Sequence, residues 1–262
     1  MAGNGRKNKK EERIGKENFN NQGCLMKCIE YNGVNDVVIE FQDEYRFIAR
    51  TQWKHFENGN IKNPYYSEVL NIGKIGAKYP SKKDNKHLKE YIVWRHMLER
   101  CFDLNYKNKY PSYKHVTCCD EWLLYENFYE WLHKQPNFNK WLNGNRWAVD
   151  KDILYKGNKL YSPETCLLVP QNINSLFTKR NLCRGNLPIG VQEHSNKYRA
   201  YLSVFGKHIN FPVRESIDEA FSDYKKHKEN MIKHIAKTEF DNGNITKECF
   251  DAMVAYEVEI TD

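Results

Sequence analysis

Hydrophobic and polar residues alternate along the first third of the chain, in a pattern that is typical of β-strands. The runs Met26–Tyr31 and Val37–Phe41 flank the turn sequence NGVND, and a third run, Tyr45–Arg50, follows the acidic turn QDE. Alternation over runs rich in Val, Ile, Phe and Tyr, with turn residues between them, predicts antiparallel strands. The pattern therefore predicts a small β module over residues 22–77.

The middle of the chain changes to helical spacing after residues 78–87 (KYPSKKDNKH), which are predicted to form a polar, basic link. Apolar residues repeat at intervals close to 3.6 over about residues 88–101 and again from Asp120 to His133, which predicts two helices. Asp120 is the predicted N-cap of the second helix. We expect the aromatic and leucine stripe of this helix to lie in the core: Trp122, Phe128, Trp131 and Leu132.

A third pattern follows Pro188. Three alternating runs (IGVQEH, KYRAYLSVF and KHINFPV) precede a stretch with helical spacing that begins at Ser216 or Asp218 and ends near Ala236. Ser216 and Glu219 have the spacing of a capping box. These elements predict a βββα domain over residues 187–237, and the acidic residues 238–262 are predicted to form a short peripheral tail. The fold class predicted for the whole chain is α+β.

Composition and charge add little to the predicted fold, but they indicate which class of binding partner the chain is suited to. The 262 residues contain 41 Lys and Arg against 34 Asp and Glu, and the formal charge of +7 fits a nucleic-acid partner without requiring one. Residues 1–21 are polar and basic, and they predict a disordered arm that attracts phosphate.

No apolar run has the length of a membrane span, and the N-terminus lacks the apolar stretch of a signal peptide. These observations predict a cytoplasmic protein with no membrane partner. No pair of cysteines among the eight has C-x-x-C spacing, so we expect reduced core thiols rather than structural zinc.

The candidate chemistry lies in residues 147–180. A predicted strand carries Asp150 and Asp152, a loop follows with Gly157 and Asn158, and a second predicted strand leads into a helix bearing Asn174. One carboxylate and one amide oxygen are enough for a hard cation that keeps several waters, so Mg²⁺, or alternatively Mn²⁺, is the expected cofactor. Such an ion polarises a scissile phosphate and stabilises the leaving oxygen.

Several motifs in this part of the chain occur in a specific order. They are W-x-x-M-x-x-R-C (from Trp94), C-x-E-W-x-x-x-x-N-F (from Cys119), V-D-K-D-I-L, G-N-K-x-Y-S-P-E-T-C and V-P-x-x-I-N. From about Trp94 to Phe177 the chain resembles phage-encoded HNH-type endonucleases, which carry a ββα-metal fold. The resemblance implies such a domain over residues 86–181.

The resemblance assigns roles residue by residue. Asp150 matches the strand acid and Asn174 matches the helical His or Asn, so both are candidate metal ligands. Asn158 lies near the loop Asn that holds the catalytic strand. Lys151 stands where the family has its general-base histidine, and a lysine is protonated at neutral pH. The candidate catalytic residues are therefore Asp152, Lys151 and Asn158.

Three alternatives stay open for this segment. Strand alternation places Asp150 and Asp152 on one face, where they bind one ion together, or Asp152 activates water while Asp150 binds the metal. Secondly, the fold serves as a DNA- or protein-binding platform in which Lys151 contacts phosphate. Thirdly, the D-K-D sequence is only a solvated turn after Trp147.

The C-terminal domain resembles the AP2 DNA-binding domain through Gly190-Val191, K-Y-R-A-Y-L, Gly206-Lys207 and E-A-F-x-x-Y-K. In that domain a three-stranded sheet enters the major groove. Alternation places Lys197, Arg199 and Tyr201 on one face and the apolar Tyr198, Ala200 and Leu202 on the other. The candidate DNA-binding residues are Lys179, Arg180, Arg184, Lys197, Arg199, Tyr201 and Lys207.

Together the two resemblances imply a phage or mobile-element homing-type endonuclease. Its expected activity is Mg²⁺-dependent hydrolysis of DNA in the cytoplasm of a bacterial host, guided by the AP2-like domain. The alternative is a catalytically inactive binding factor, regulatory or counter-defence, whose partner is DNA or a host defence protein.

Overall fold

The computed structural model describes residues 9–144, 146–177 and 187–262. It has a mixed α+β fold, as predicted. The chain divides into two compact units, one formed by the residues up to Tyr106 together with Asp120–Tyr129, and the other by Lys107–Cys119 together with Glu130–Asp262.

The first unit begins with a four-stranded antiparallel sheet in which the strands are adjacent in chain order. Met26, Ile39 and Phe41 are fully buried from one face of this sheet, and Trp53 and Phe56 cover them. The predicted strands of the β module are therefore confirmed. The elements are α1 (Lys9–Arg13), β1 (Glu17–Phe19), β2 (Leu25–Gly33), β3 (Asp36–Phe41), β4 (Ile48–Thr51) and α2 (Trp53–Glu57).

The prediction of a disordered arm over residues 1–21 is wrong for the part that the structure describes. Helix α1 precedes β1, and β1 pairs with β2. The Arg13 guanidinium lies 4.8 Å from the centre of the Tyr31 ring and 4.3 Å from that of Trp53. Cation–π contacts of this kind dock a basic segment on the sheet instead of leaving it in solvent.

The central helices pack through aromatic side chains. Trp94 is fully buried, and its indole N–H donates to the carbonyl of Trp122 at 2.7 Å. The second predicted helix starts later than expected, because Asp120–Leu123 forms a 3₁₀ turn. The elements are β5 (Lys82–Lys83), β6 (Lys86–His87), α3 (Lys89–Phe102), α4 (Leu104–Lys109), β7 (Thr117–Cys118) and α5 (Tyr125–His133).

The segment with the candidate chemistry has the predicted strand–loop–strand–helix order. Strands β8 and β10 pair antiparallel, with Asp150 opposite Leu167, and β9 pairs in parallel with β7. Leu167, Val169 and Ile173 are buried in one apolar cluster of the second unit. The elements are α6 (Phe138–Asn143), β8 (Trp147–Asp150), β9 (Leu160–Tyr161), β10 (Leu167–Pro170) and α7 (Gln171–Leu176).

The C-terminal part is a three-stranded antiparallel sheet with a long helix across one face. Ala200 and Leu202 of the central strand pack against Ala220 and Tyr224 of the helix, and the predicted capping box at Ser216 is formed. The elements are β11 (Val191–His194), β12 (Lys197–Val204), β13 (Lys207–Arg214), α8 (Ile217–Asp241) and α9 (Lys247–Val254).

The prediction of a short peripheral tail over residues 238–262 is wrong. Helix α8 continues to Asp241, and α9 begins after Thr246, whose hydroxyl caps it. Cys249 and Met253 of α9 are fully buried in the same cluster as Ile173. The prediction relied on the acidic composition of these residues, but they contain an amphipathic helix that completes the core of the second unit.

Candidate functional site

Asp150 is the last residue of β8, and its carboxylate closes the turn that follows. Oδ1 accepts hydrogen bonds from the backbone N–H groups of Asp152 (2.7 Å) and Ile153 (2.8 Å). Burial raises the pKa of this carboxyl above its usual range, against the lowering effect of the two hydrogen bonds. Within the described chain only Oδ1 is hydrogen-bonded, so Oδ2 is the oxygen that a cation could use.

Lys151 points into the protein and not towards solvent. Its side chain is 5% exposed, and Nζ donates to both carboxylate oxygens of Asp152 (2.8 and 2.7 Å) and to the carbonyl of Asn158 (2.8 Å). Three acceptors satisfy the three N–H groups of an ammonium. The burial disagrees both with a phosphate contact by Lys151 and with a solvated D-K-D turn.

Asp152 does not share a strand face with Asp150, so the prediction from alternation is wrong. β8 ends at Asp150, and residues 151–155 form a bend in which strand periodicity no longer applies. Both oxygens of Asp152 accept from Lys151, although the side chain is 43% exposed. A carboxylate held in this way is a counter-ion for Lys151 and is poorly placed to take a proton from water.

Asn158 holds the two ends of the loop together. Its Nδ2 donates to the carbonyls of Lys151 (2.9 Å) and Leu160 (2.7 Å), and its Oδ1 accepts from the N–H of Leu160 (3.1 Å). Because Lys151 Nζ also donates to the carbonyl of Asn158, the two residues are bonded in both directions. This arrangement agrees with the holding role that the resemblance implies for Asn158.

The second candidate metal ligand, Asn174, lies on α7, which packs beside both β8 and β10. No cluster of three or more His, Cys, Asp or Glu that could hold a metal occurs in the described ranges. The candidate ligands for Mg²⁺ in this segment stay Oδ2 of Asp150 and the amide oxygen of Asn174. They form a minimal set, which needs several retained waters to complete an octahedral shell.

The buried Asp150 leads to a prediction on stability. Since its pKa is raised in the folded state, the native protein binds more protons than the unfolded chain between the ordinary Asp value of about 3.9 and the raised value. Stability therefore falls as the pH rises through this window. The variant Asp150→Asn keeps an Oδ1 acceptor for the turn and carries no charge. It should therefore lack the cost of burying an ionised carboxylate and be more stable than wild type at pH 7.

Urea unfolding of both proteins from pH 4 to pH 8 measures this effect, with Asp43→Asn as a matched substitution in the first unit. Equal pH dependence in wild type and Asp150→Asn would contradict the assignment.

The second candidate site is the face of the C-terminal sheet that α8 leaves uncovered. The register pairs Gln192 with Arg199, His194 with Lys197 and Asn210 with Tyr201. Directly paired residues of an antiparallel sheet lie on one face. The strand residues on this face, called the open sheet face below, are Gln192, His194, Lys197, Arg199, Tyr201, Ser203, His208, Asn210 and Val213.

Three of the predicted DNA-binding residues lie on the open sheet face, namely Lys197, Arg199 and Tyr201. Lys207 does not, because it pairs with Val204, which lies on the same side of the sheet as Leu202. The exposed Lys207 lies instead at the hairpin tip on the helix side, and its predicted DNA contact stays a prediction. The remaining three, Lys179, Arg180 and Arg184, fall outside the described residues.

Arg199 is at the centre of the open sheet face. One of its terminal nitrogens lies 3.0 Å from Nε2 of His194, and its buried Nε has no hydrogen-bond partner among the described residues. Lys197 forms an ion pair with Glu215 at the edge. The guanidinium is thus held in place on one side and retains donors for a ligand.

Sequence reasoning missed the polar residues of the two outer strands, including His194, His208 and Asn210. Alternation predicts which residues of β12 lie on the open sheet face. For β11 and β13 the face of each residue depends on the strand register, which the sequence does not give. A bulge in β13 opposite Ala200 changes that register between Asn210 and Val213. The Ser195-Asn196 and Phe205-Gly206 turns were the available signals for the hairpins.

Within the described ranges, the helices are all too short or too polar to cross a membrane. Comparison of the chain with protein-family models, with curated proteins and with solved structures finds no match.

Proposed function

We propose that this protein binds duplex DNA through the open sheet face of its C-terminal domain. One observation carries the proposal: no strand residue on that face is acidic, although Asp and Glu make up 34 of the 262 residues, and Glu215, which pairs with Lys197, lies at the edge beyond the end of β13. The face combines cationic, amide and aromatic side chains around Arg199. A sheet surface of this kind is suited to a polyanion that also presents base edges.

The side chains present match the chemistry of a major groove. Arginine forms bidentate hydrogen bonds with guanine, and Asn and Gln do so with adenine, while Lys neutralises phosphate. Strands are known to enter DNA grooves, and the resemblance to the AP2 domain implies this mode of binding. The geometry of Arg199 supports a reading role, since His194 orients the guanidinium and leaves other N–H groups available.

Arg199→Ala is expected to weaken binding to a preferred duplex by about 10- to 100-fold, the cost of a lost bidentate contact of about 1–3 kcal/mol. Fluorescence anisotropy, after selection of a preferred sequence from random duplexes, measures the change at one salt concentration, and a salt titration of the wild type measures the salt dependence of binding. Arg50→Ala, which removes an exposed arginine from β4, is the control and should bind as wild type does. Unchanged affinity in Arg199→Ala, or binding that does not depend on salt, would refute the proposal.

In this proposal the turn between Asp150 and Asn158 has a structural role, and the buried Lys151 holds the turn together instead of contacting phosphate. The supporting contacts are the engagement of both Asp152 oxygens by Lys151 and the use of Asp150 Oδ1 by the backbone. A phage or mobile-element origin, a bacterial cytoplasmic location and a host defence protein as an additional partner stay predictions.

A second candidate function is Mg²⁺-dependent DNA hydrolysis, and one observation favours it. Oδ2 of Asp150 is without a hydrogen bond within the described chain, and it lies at the end of a strand beside the helix that carries Asn174. Asp150 and Asn174 would hold the ion, and Mg²⁺ would polarise the phosphate.

Supercoiled-plasmid nicking in Mg²⁺ or Mn²⁺ tests this candidate, with Asp150→Asn and Asn174→Ala as variants. Nicking that both variants abolish would support hydrolysis. A wild-type protein that binds plasmid without nicking it would leave DNA binding alone.

A further inference from the structure

The basic stretch predicted to be a link between domains is a β-hairpin in the first unit. Strands β5 and β6 pair Lys82 with His87 and Lys83 with Lys86, around a turn at Asp84 and Asn85. Both turn residues have positive φ, 50° and 60°, as a two-residue type I′ turn requires. All six residues from 82 to 87 are exposed. They are named the lysine hairpin below.

Aromatic contacts hold the base of the lysine hairpin. His87 stacks on Tyr91 of α3 with ring centres 4.5 Å apart, and Tyr79 stacks on Tyr129 at 4.1 Å. The N–H of Leu88 donates to the carbonyl of Ser81 at 3.0 Å and closes the ladder. Two-residue strands are not stable alone, so these ring contacts and this hydrogen bond stabilise the hairpin.

The charge of the lysine hairpin is not balanced by its surroundings. Among the described residues, Lys82, Lys83 and Lys86 make no ion pair or side-chain hydrogen bond. Lys83 and Lys86 are direct cross-strand partners, and like charges in that arrangement destabilise a hairpin. An anion placed between them would remove the repulsion.

We propose that the lysine hairpin is a second DNA contact, which binds the phosphate backbone without reading sequence. This inference rests on the proposed DNA binding by the open sheet face and adds a contact from the other unit. The hairpin sequence K-K-D-N-K-H contains no apolar side chain, so it has nothing to bury in an acyl layer or in a protein groove. Lysine is suited to such phosphate contacts because it is a flexible point charge with three donors.

The test compares two double variants of the full chain that lose the same charge. Lys83→Gln/Lys86→Gln alters the lysine hairpin, and Lys54→Gln/Lys62→Gln removes two exposed lysines elsewhere in the first unit. Affinity for duplex DNA is measured from 50 to 400 mM NaCl and on duplexes of increasing length. The hairpin variant is expected to lose about tenfold in affinity at low salt, and its log–log salt slope should fall by about one to two. Lengthening the duplex should also raise the affinity of the hairpin variant less than it raises the affinity of the control variant.

A hairpin variant with the salt slope and length dependence of the control would overturn the inference while leaving DNA binding by the sheet intact. If only binding to phosphatidylserine vesicles separates the two variants, the inference is equally overturned. Failure of the proposed function has a different signature, because Arg199→Ala would then bind duplex as tightly as wild type, whatever the hairpin variant does.

Discussion

Asp152→Ala is expected to lower the free energy of unfolding of the second unit by about 2–3 kcal/mol. The substitution removes the carboxylate that pairs with Lys151, whose side chain is 5% exposed. Among the described residues, the ammonium then keeps the carbonyl of Asn158 as its one acceptor. A buried cation without a counter-ion is costly, and the exposure of Asp152 itself keeps the loss at or below the lower end of the roughly 3–5 kcal/mol expected for a fully buried pair.

A double variant makes the expectation specific. Adding Lys151→Met to Asp152→Ala removes the orphaned charge and keeps an unbranched apolar side chain in the space of the lysine stem. We expect the double variant to return to within about 1 kcal/mol of wild type, because an apolar replacement of a buried pair is often neutral. Urea unfolding gives the energies, and hydrogen exchange at the amides of Asp152 and Ile153 reports on the turn directly.

The same pair of variants separates a structural role for Asp152 from a catalytic one. A general base is not restored by removing its neighbour, so rescue of stability by Lys151→Met is the signature of a counter-ion. If Asp152→Ala instead left stability unchanged and abolished nicking, the counter-ion assignment would fail and Asp152 would be a catalytic residue.

Strong periodicity was sufficient for much of the fold. The strands around Met26 and Val37, the helix through Trp94 and the βββα order after Pro188 all have apolar residues at a spacing that only one element type can bury. Local signals failed where packing decided the structure. The acidic residues after 238 contain α9, which forms because Cys249 and Met253 complete a core built from distant strands.

The sequence predicts where the candidate site lies in the fold, but not which hydrogen bonds and ion pairs its side chains form. The order of strand, loop, strand and helix follows from the sequence, and the hydrogen bonds of Asn158 agree with the holding role that the resemblance implies. The burial of Lys151 could not be predicted from the sequence, because a lysine in a polar turn is usually solvated. Its burial depends on Tyr161, whose ring centre is 5.7 Å from Nζ, and on the Asn158 carbonyl that the loop brings back to it.

Gly190→Ala is expected to unfold or strongly destabilise the C-terminal sheet and helix, with a loss of at least about 3 kcal/mol. Gly190 has a φ of 73°, which costs a residue with a Cβ about 1–3 kcal/mol. A Cβ there would also lie 2.0 Å from Cδ2 of Tyr224, a ring that is 4% exposed in the core of this domain. The Gly190 carbonyl accepts from the N–H of Tyr201 at 2.8 Å, so a shift of this backbone disturbs the open sheet face as well.

Gly206→Ala is the matched control for this substitution. Gly206 has nearly the same φ, 79°, but a Cβ there would meet no atom within 4 Å. It should therefore cost only the backbone strain, about 1 kcal/mol, and leave DNA affinity unchanged. Thermal unfolding and DNA-binding titrations of the two variants separate strain from overlap with Tyr224. Equal destabilisation by both substitutions would contradict the packing described for Gly190, and DNA binding that survived unfolding of this domain would place the DNA contact elsewhere in the chain.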